Sequence, residues 1–236
     1  MLDAAWFIRL INRKGNIMKL KNVLAAAILL ALTNTGRAAA QPSCGEIDAA
    51  ISATEDFAEK ILGGDASAAK SGLAALDETF AAVRASLTAD AAKNIEDGIS
   101  AAKIAAQKGN PSAAAVAAMD AYRGLAAAFQ NRLPTTIDVA MLDYAGFRLH
   151  GLLAAGAPDW ALIEATVAEA GINWSRSAKN ITDAALGNLG DSVQSGLEAA
   201  VAAKDQGWLG SMAKIQLDLV DLLERAVKNK AKGACK

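Results

Sequence analysis

The sequence predicts an all-α protein of two tandem four-helix up-down bundles, eight helices in all, that follow a cleaved signal peptide. Alanine, the strongest helix former, dominates a chain that is 53% hydrophobic but only 5% aromatic. Apolar residues recur at spacings of three and four, which is the period of an amphipathic helix. The second half repeats the order of caps and apolar residues seen in the first half, and this indicates an internal duplication.

An export leader precedes the helices. From Met18 the chain reads M-K-L-K-N, followed by the apolar run 23–32 and by Ala38-Ala39-Ala40 before Gln41, which is the order of a secretory signal peptide. The apolar run is too short to span a bilayer unaided. We therefore expect residues 1–40 to be removed, leaving a mature chain in the periplasm that has no transmembrane segment.

The first four-helix unit is expected over residues 41–133. Its first helix runs from Glu46 to Leu62 and stops at Gly63-Gly64, and the next three are capped by Asp65, Thr88 and Asn110. Pro111 follows in the first turn, where proline is tolerated. The spacing turns these residues inward: Ile47, Ile51, Thr54, Ala58 and Ile61; Leu73, Leu76, Phe80, Val83 and Leu87; Ile95, Ile99, Ala102 and Ala106; Ala115, Ala118, Tyr122, Leu125 and Phe129.

The second unit, residues 134–236, opens with the most informative stretch, a helix from Ile137 to Ala155. Its core stripe is Leu142, Ala145, Leu149 and Leu152, and about 100° around the helix lies a second stripe of Ala140, Asp143, Phe147 and His150. A surface helix shows one apolar stripe and a polar back. Two stripes therefore predict neighbours on two sides of this helix.

Three further helices complete the second unit. Asp159 caps the sixth, a seventh follows Thr182, and an eighth runs from Trp208. The inward residues are expected to be Trp160, Ile163, Val167, Ala170 and Trp174 in the sixth helix, and Met212, Ile215, Leu219, Leu222 and Ala226 in the eighth. The two halves align at an offset of 94 residues up to Thr182 and of 98 beyond it, so one extra helical turn is expected near Gly187 and Gly190.

Two cysteines stand at the two ends of the mature chain. Cys44 follows the expected cleavage site and Cys235 is the penultimate residue. In an oxidising compartment an even pair predicts a disulfide, with an intermolecular or free pair as the alternative. The bridge would close a loop of about 190 residues, worth roughly 5 kcal/mol in the chain-entropy model. It also requires the first and eighth helices to meet at one end.

The candidate ligand cleft lies between the two halves. His150, the one histidine of the chain, shares a face with Asp143, so it predicts either a metal or haem ligand or a histidine that fills a polar gap between helix layers. Two tyrosines next to carboxylates could line the same cleft, although both also suit a core with solvated hydroxyls. The candidate residues are Asp120, Tyr122, Asp143, Tyr144, Phe147 and His150.

Charge and motifs limit the functional classes. Beyond Gln41 the chain keeps 18 basic and 24 acidic residues, a net charge near −6 that does not favour nucleic acid. The sequence contains no C-x-x-C-H, H-E-x-x-H or G-x-S-x-G motif. It predicts an exported, non-enzymatic binding or protein-interaction module without a cofactor. The alternatives are a carrier of an apolar small molecule held between the bundles and a metal or haem binder centred on His150. A deep pocket with several converging acids and altered proton affinity would instead favour catalysis.

Overall fold

The computed structural model describes residues 41–133 and 135–227, and the regular elements in this part of the chain are helices. They are α1 Cys44–Leu62, α2 Ala66–Arg84, α3 Ala89–Gln107, α4 Pro111–Ala128, α5 Ile137–Leu153, α6 Trp160–Ser177, α7 Ala184–Ala203 and α8 Gln206–Ala226, with a 3-10 turn at Ala178–Asn180. The all-α prediction is confirmed for these residues. The predicted leader, residues 1–40 with its start at Met18, lies outside the described residues.

Short polar side chains fix where most of the helices begin. Ser43 forms a capping box with Glu46 at the start of α1, and this satisfies the backbone N–H groups of both residues, which a helix end otherwise leaves open. The predicted caps Thr88, Asn110 and Asp159 each accept a hydrogen bond from the first turn of their helix. Additional caps are Thr136 for α5, Asp183 for α7 and Asp205 for α8.

The central position of α5 agrees with its two stripes. Within the first half, α1 packs against α2 and α4, and α3 packs against α4. Within the second half, α5 packs against α6 and α8, and α7 also packs against α6 and α8. Helix α5 also contacts α4 and α1, so it touches helices of both halves. The α4–α5 contact is close because Gly151 has no side chain, and the Ser112 Oγ donates a 2.6 Å hydrogen bond to the Gly151 carbonyl.

Helix α8 turns a different face inward from the one expected. Ile215, Leu222 and Ala226 were expected in the core, but all three are exposed, Ile215 by 40% and Leu222 by 44%. Ile215 and Leu222 form an exposed stripe with Trp208. The buried face consists of Leu209, Ala213, Gln216, Leu219, Val220 and Leu223. Gln216 explains the error, because a polar residue interrupts this stripe in the sequence. In the fold the side-chain amide nitrogen of Gln216, Nε2, donates a hydrogen bond to the Leu142 carbonyl of α5.

The extra helical turn expected in the seventh helix is absent, because α7 has 20 residues and α3 has 19. Corresponding caps instead keep a nearly constant separation. It is 93 residues for the pair Ser43/Thr136, and 95 residues for the pairs Thr88/Asp183 and Asn110/Asp205. The glycine that suggested an insertion has a packing role. A Cβ atom at Gly190 would lie 1.9 Å from the ring of Trp174, whose Nε1 donates a 2.8 Å hydrogen bond to Asp191.

The start of α1 and the end of α8 contact the same connecting segment. Arg132 donates a hydrogen bond to the Pro42 carbonyl and lies 3.9 Å from the Cys44 Sγ. Three residues further on, the Thr135 hydroxyl donates a 3.1 Å hydrogen bond to the Val227 carbonyl. This is the arrangement that a Cys44–Cys235 bridge requires. Cys235 lies outside the described residues, so the bridge stays a prediction.

Candidate functional site

A solvent-accessible cleft of about 500 Å³ lies where α1, α5 and α8 meet. Helix α5 packs against both α1 and α8, so it forms the floor and the other two helices form the walls. Its lining combines seven carboxyl groups, one lysine, one histidine and three apolar side chains: Glu55, Asp56 and Glu59 from α1; Asp143, Phe147 and His150 from α5; Lys214, Leu217, Asp218, Val220, Asp221 and Glu224 from α8. The cleft is therefore strongly acidic and partly apolar.

Glu55 and Asp143 form the deepest part of the acidic lining, and their side chains are joined by a hydrogen bond. Burial raises the pKa of Glu55 to about 10, and the charges of Asp143 and Glu224 add to this effect. Burial also raises the pKa of Asp143, to about 6. Both carboxyl groups therefore hold a proton more tightly than an exposed acid does.

Tyr122 supports this pair from below. The ring belongs to α4, is 2% exposed, and its hydroxyl is in hydrogen-bond contact with both Glu55 and Asp143. Burial raises the pKa of Tyr122 well above its usual value, followed by the charges of the nearby carboxylates, so the phenol stays a donor. A phenol donor favours the ionised form of a carboxylate beside it, so this contact opposes the effect of burial on both pKa values.

His150 lies two turns from Asp143 on the same face of α5. Its Nε2 atom is buried and has no hydrogen-bond partner among the described residues. Burial lowers the pKa of His150, and the charge of Lys214 lowers it further, so the ring is neutral at pH 7. His150 Nε2 is therefore a buried polar atom whose hydrogen-bonding capacity the described residues leave unused.

The six residues predicted for the cleft fall into two groups. Asp143, Phe147 and His150 line the cleft, and Tyr122 contacts Asp143. Tyr144 projects about 100° away from Asp143 around the helix, toward α4 and α6. There its hydroxyl lies 3.4 Å from Asp120, which pairs with Arg148.

Asp120 and Tyr144 form the second group, and they belong to a network of ion pairs and cation–π contacts. Two guanidinium groups stack on the ring of Tyr144, with Arg123 at 5.6 Å and Arg148 at 5.5 Å from its centroid. Arg123 also forms a 2.9 Å ion pair with Glu169 of α6. These contacts hold α4, α5 and α6 together, so Asp120 and Tyr144 have structural partners on a different side of α5 from the cleft.

The acidic residues that α1 and α8 contribute to the cleft were not predicted from the sequence, although the sequence contains one signal for those of α8. Asp218, Asp221 and Glu224 recur every third residue of α8 and thus lie on one face. Glu55 lies four residues after Ile51 and directly follows Thr54, both of which are buried. An acid at the edge of a core stripe is a candidate for burial, but nothing in one sequence says which acids from α1, α5 and α8 will meet.

Comparison with known protein families, curated proteins and solved structures finds no match to this chain. No helix within the described ranges is long and apolar enough to cross a membrane. In the same ranges, no three side chains of histidine, cysteine, aspartate and glutamate are grouped so as to hold a metal ion.

Proposed function

We propose that this protein is an exported binding protein whose cleft between α1, α5 and α8 holds a small organic cation without altering it. The observation that carries this proposal is the lining of the cleft, where seven carboxyl groups and one lysine surround about 500 Å³. Five of these carboxyl groups are exposed and two, Glu55 and Asp143, are partly buried. The group repels itself, and its two inner members also lose hydration, so a bound cation offsets both effects.

The shape of the cleft favours an organic cation over a compact ion. The carboxyl groups are spread along the walls, whereas Phe147, Leu217 and Val220 supply apolar surface between them. Pockets of about 300–1,000 Å³ with an apolar lining and a few polar groups are typical small-molecule sites. An amine with an alkyl or aromatic body would pair its ammonium with Asp143 and pack its body on Phe147. An apolar small molecule was only an alternative ligand in the sequence analysis, and the acidic lining supports a cationic ligand in its place.

The proposal includes the setting predicted from the sequence, namely export by the signal peptide that starts at Met18 and a mature chain of two tandem four-helix units. The near-constant spacing of 93 to 95 residues between corresponding caps supports the duplication. A cleft between two such units is a common place for a ligand, since surfaces from both units converge there.

Isothermal titration of the mature protein with 1,5-diaminopentane and with spermidine tests the binding function. Both cations should bind at pH 7.5, whereas the uncharged analogue 1,5-pentanediol should give no binding heat, because it cannot offset the charge of the cleft. Asp143→Asn should weaken the binding of either amine at least tenfold, which corresponds to about 1.4 kcal/mol. Calcium chloride should not compete with the amines.

A matched variant separates the cleft from the general charge of the protein. Glu78 is exposed on α2 and does not line the cleft, so Glu78→Gln removes one negative charge elsewhere and should bind the amines as the wild type does. Equal weakening by Glu78→Gln and Asp143→Asn would mean that net charge alone attracts the amines. Absence of binding by every amine, or tighter binding of Ca²⁺ than of the amines, would overturn the proposal.

Several converging acids with raised pKa values are the feature that the sequence analysis gave as a sign of catalysis, so acid–base catalysis is the second candidate. One protonated and one ionised carboxyl group side by side are the equipment of a general acid and a general base. Mass spectrometry of an amine recovered after long incubation with the protein distinguishes the two functions. A binding protein returns the amine unchanged, whereas a product that forms with wild type and not with Asp143→Asn would establish catalysis.

A further inference from the structure

We infer that the cleft takes up its cation in exchange for a proton shared by Glu55 and Asp143. This rests on the proposed function and adds a rule for when the site is filled. At the pair itself the charge would stay nearly the same, because one ammonium group replaces one proton. A second ammonium group of the ligand would pair with other carboxylates of the cleft.

The surroundings of the pair are the geometric reason. Glu55 on α1 and Asp143 on α5 line the cleft together with Asp221 and Glu224 on α8. The charges of these two α8 acids act on the pair, and the hydroxyl of Tyr122 on α4 lies beside it. These groups, which face the pair from every helix that packs around it, are carboxyls and a phenol. Farther along the cleft, the remaining titratable groups are Asp56, Glu59, His150, Lys214 and Asp218. Lys214 interacts with His150 through its charge, and Asp56 forms a 3.0 Å ion pair with Lys60.

In the empty cleft, a proton can thus neutralise one of the two adjacent carboxyl groups. Burial of two adjacent carboxyl groups disfavours double ionisation, so the empty pair retains one proton at neutral pH. When an ammonium group enters, the Glu55 O–H bond breaks and the freed carboxylate accepts a hydrogen bond from the ammonium nitrogen. The proton leaves to the buffer. If the amine instead enters uncharged and takes the Glu55 proton, its own proton has already gone to the buffer, so one proton is released by either route.

The exchange predicts the pH dependence of affinity. Between the pKa of Asp143, about 6, and that of Glu55, about 10, release of one proton per ligand makes the association constant rise about tenfold per pH unit. Below pH 6 the second carboxyl must also lose a proton, so the dependence steepens. The site would therefore bind in neutral or alkaline surroundings and release in acid.

The direct test is titration of 1,5-diaminopentane into the mature protein at pH 7.5 in phosphate and in Tris. These buffers take up protons with different heats, so the difference between the two titrations counts the protons released. Wild type and Glu78→Gln should release about one proton per ligand. Glu55→Gln has no proton to give and should release close to none, and its affinity should change less than twofold between pH 6.5 and 8.5.

A measurement without ligand keeps this inference separate from the choice of amine. Infrared spectra of the empty protein at pH 7.5 should show the carbonyl band of a protonated carboxyl group, and Glu55→Gln should lack it. Binding of the amine without proton release, or a wild-type spectrum without that band, would overturn the exchange and leave the binding function standing. Absence of binding by any cation would remove both proposals.

Discussion

The side chain of Glu55 owes its chemistry to neighbours on other helices. An exposed glutamate ionises near pH 4.5, yet burial beside Asp143 raises the pKa of Glu55 to about 10. Asp143 likewise has a raised pKa because of burial. Both shifts have one sign: the folded protein binds protons more tightly than the unfolded chain, so stability from this pair is complete in acid and falls as the pH rises toward the folded pKa of Glu55.

Glu55→Gln should therefore stabilise the folded protein above neutral pH. Glutamine resembles the protonated acid, and its unfolded state gains nothing from ionisation. At pH 8 we expect the free energy of unfolding to rise by about 1–2 kcal/mol, a gain of roughly 2–8 °C in Tm for a domain of this size. Thermal unfolding followed by circular dichroism between pH 5 and 9 measures it.

The same pH series on Glu78→Gln, whose side chain is exposed on α2, provides the control. The wild type and this control should lose stability in parallel as the pH rises, whereas Glu55→Gln should lose less. A Glu55→Gln protein that is destabilised at pH 8, or that keeps the wild-type slope, would show that Glu55 is ionised in the fold.

At the scale of the element, the sequence predicts the buried face of most helices correctly, but not that of α8. The stripe expected for α4 and the core stripe of α5 are buried, and so is that of α1 except for Ile61, which is half-buried. Regular apolar spacing leaves one way to bury the largest area. In α8 two stripes compete, and the one that continues through Gln216 is buried. Its hydrogen bond to the Leu142 carbonyl compensates for the loss of hydration, and this contact depends on α5 rather than on the sequence of α8.

Two glycines three residues apart on α7 allow a paired test of the α6–α7 contact. Gly190→Ala would place a Cβ atom inside the space of the Trp174 ring and should lower the free energy of unfolding by about 1–3 kcal/mol. Gly187 has open space around its Cβ position, so Gly187→Ala should raise stability by about 0.5–1 kcal/mol through helix propensity.

Urea unfolding of both variants measures these effects. Opposite signs are the expected result, since the substitutions are chemically identical and differ only in their neighbours. If Gly190→Ala were as stable as Gly187→Ala, the ring of Trp174 would not lie over α7 as described.

At the scale of the whole molecule, the chain returns to its starting end. Pro42 and Cys44 contact Arg132, and Val227 contacts Thr135, so both ends of the described chain contact one connecting segment. An even number of antiparallel helices produces such a return, as the sequence predicts. It also brings acids from α1 and α8 to opposite walls above α5.

A single bridge between Cys44 and Cys235 should form in the exported protein. The intact mass of protein taken from the periplasm should correspond to a chain that begins at Gln41 and lacks two hydrogen atoms. Cys44→Ser should lower the free energy of unfolding by roughly 2–5 kcal/mol, because the unfolded chain loses its largest constraint. A covalent dimer on a non-reducing gel, or an unchanged Tm after reduction, would contradict an intramolecular bridge.

The sequence by itself determined the helical class, most helix boundaries and most buried faces. Caps, glycines and apolar periodicity act over a few residues, and those interactions are written locally in the chain. Only the tertiary structure decided which acids meet and what they do. Asp143 could be singled out because it shares a face with His150, but Glu55 and Glu224 join it from helices far away along the chain. A shift in proton affinity arises from burial and from nearby charge, and both exist only once the helices have packed.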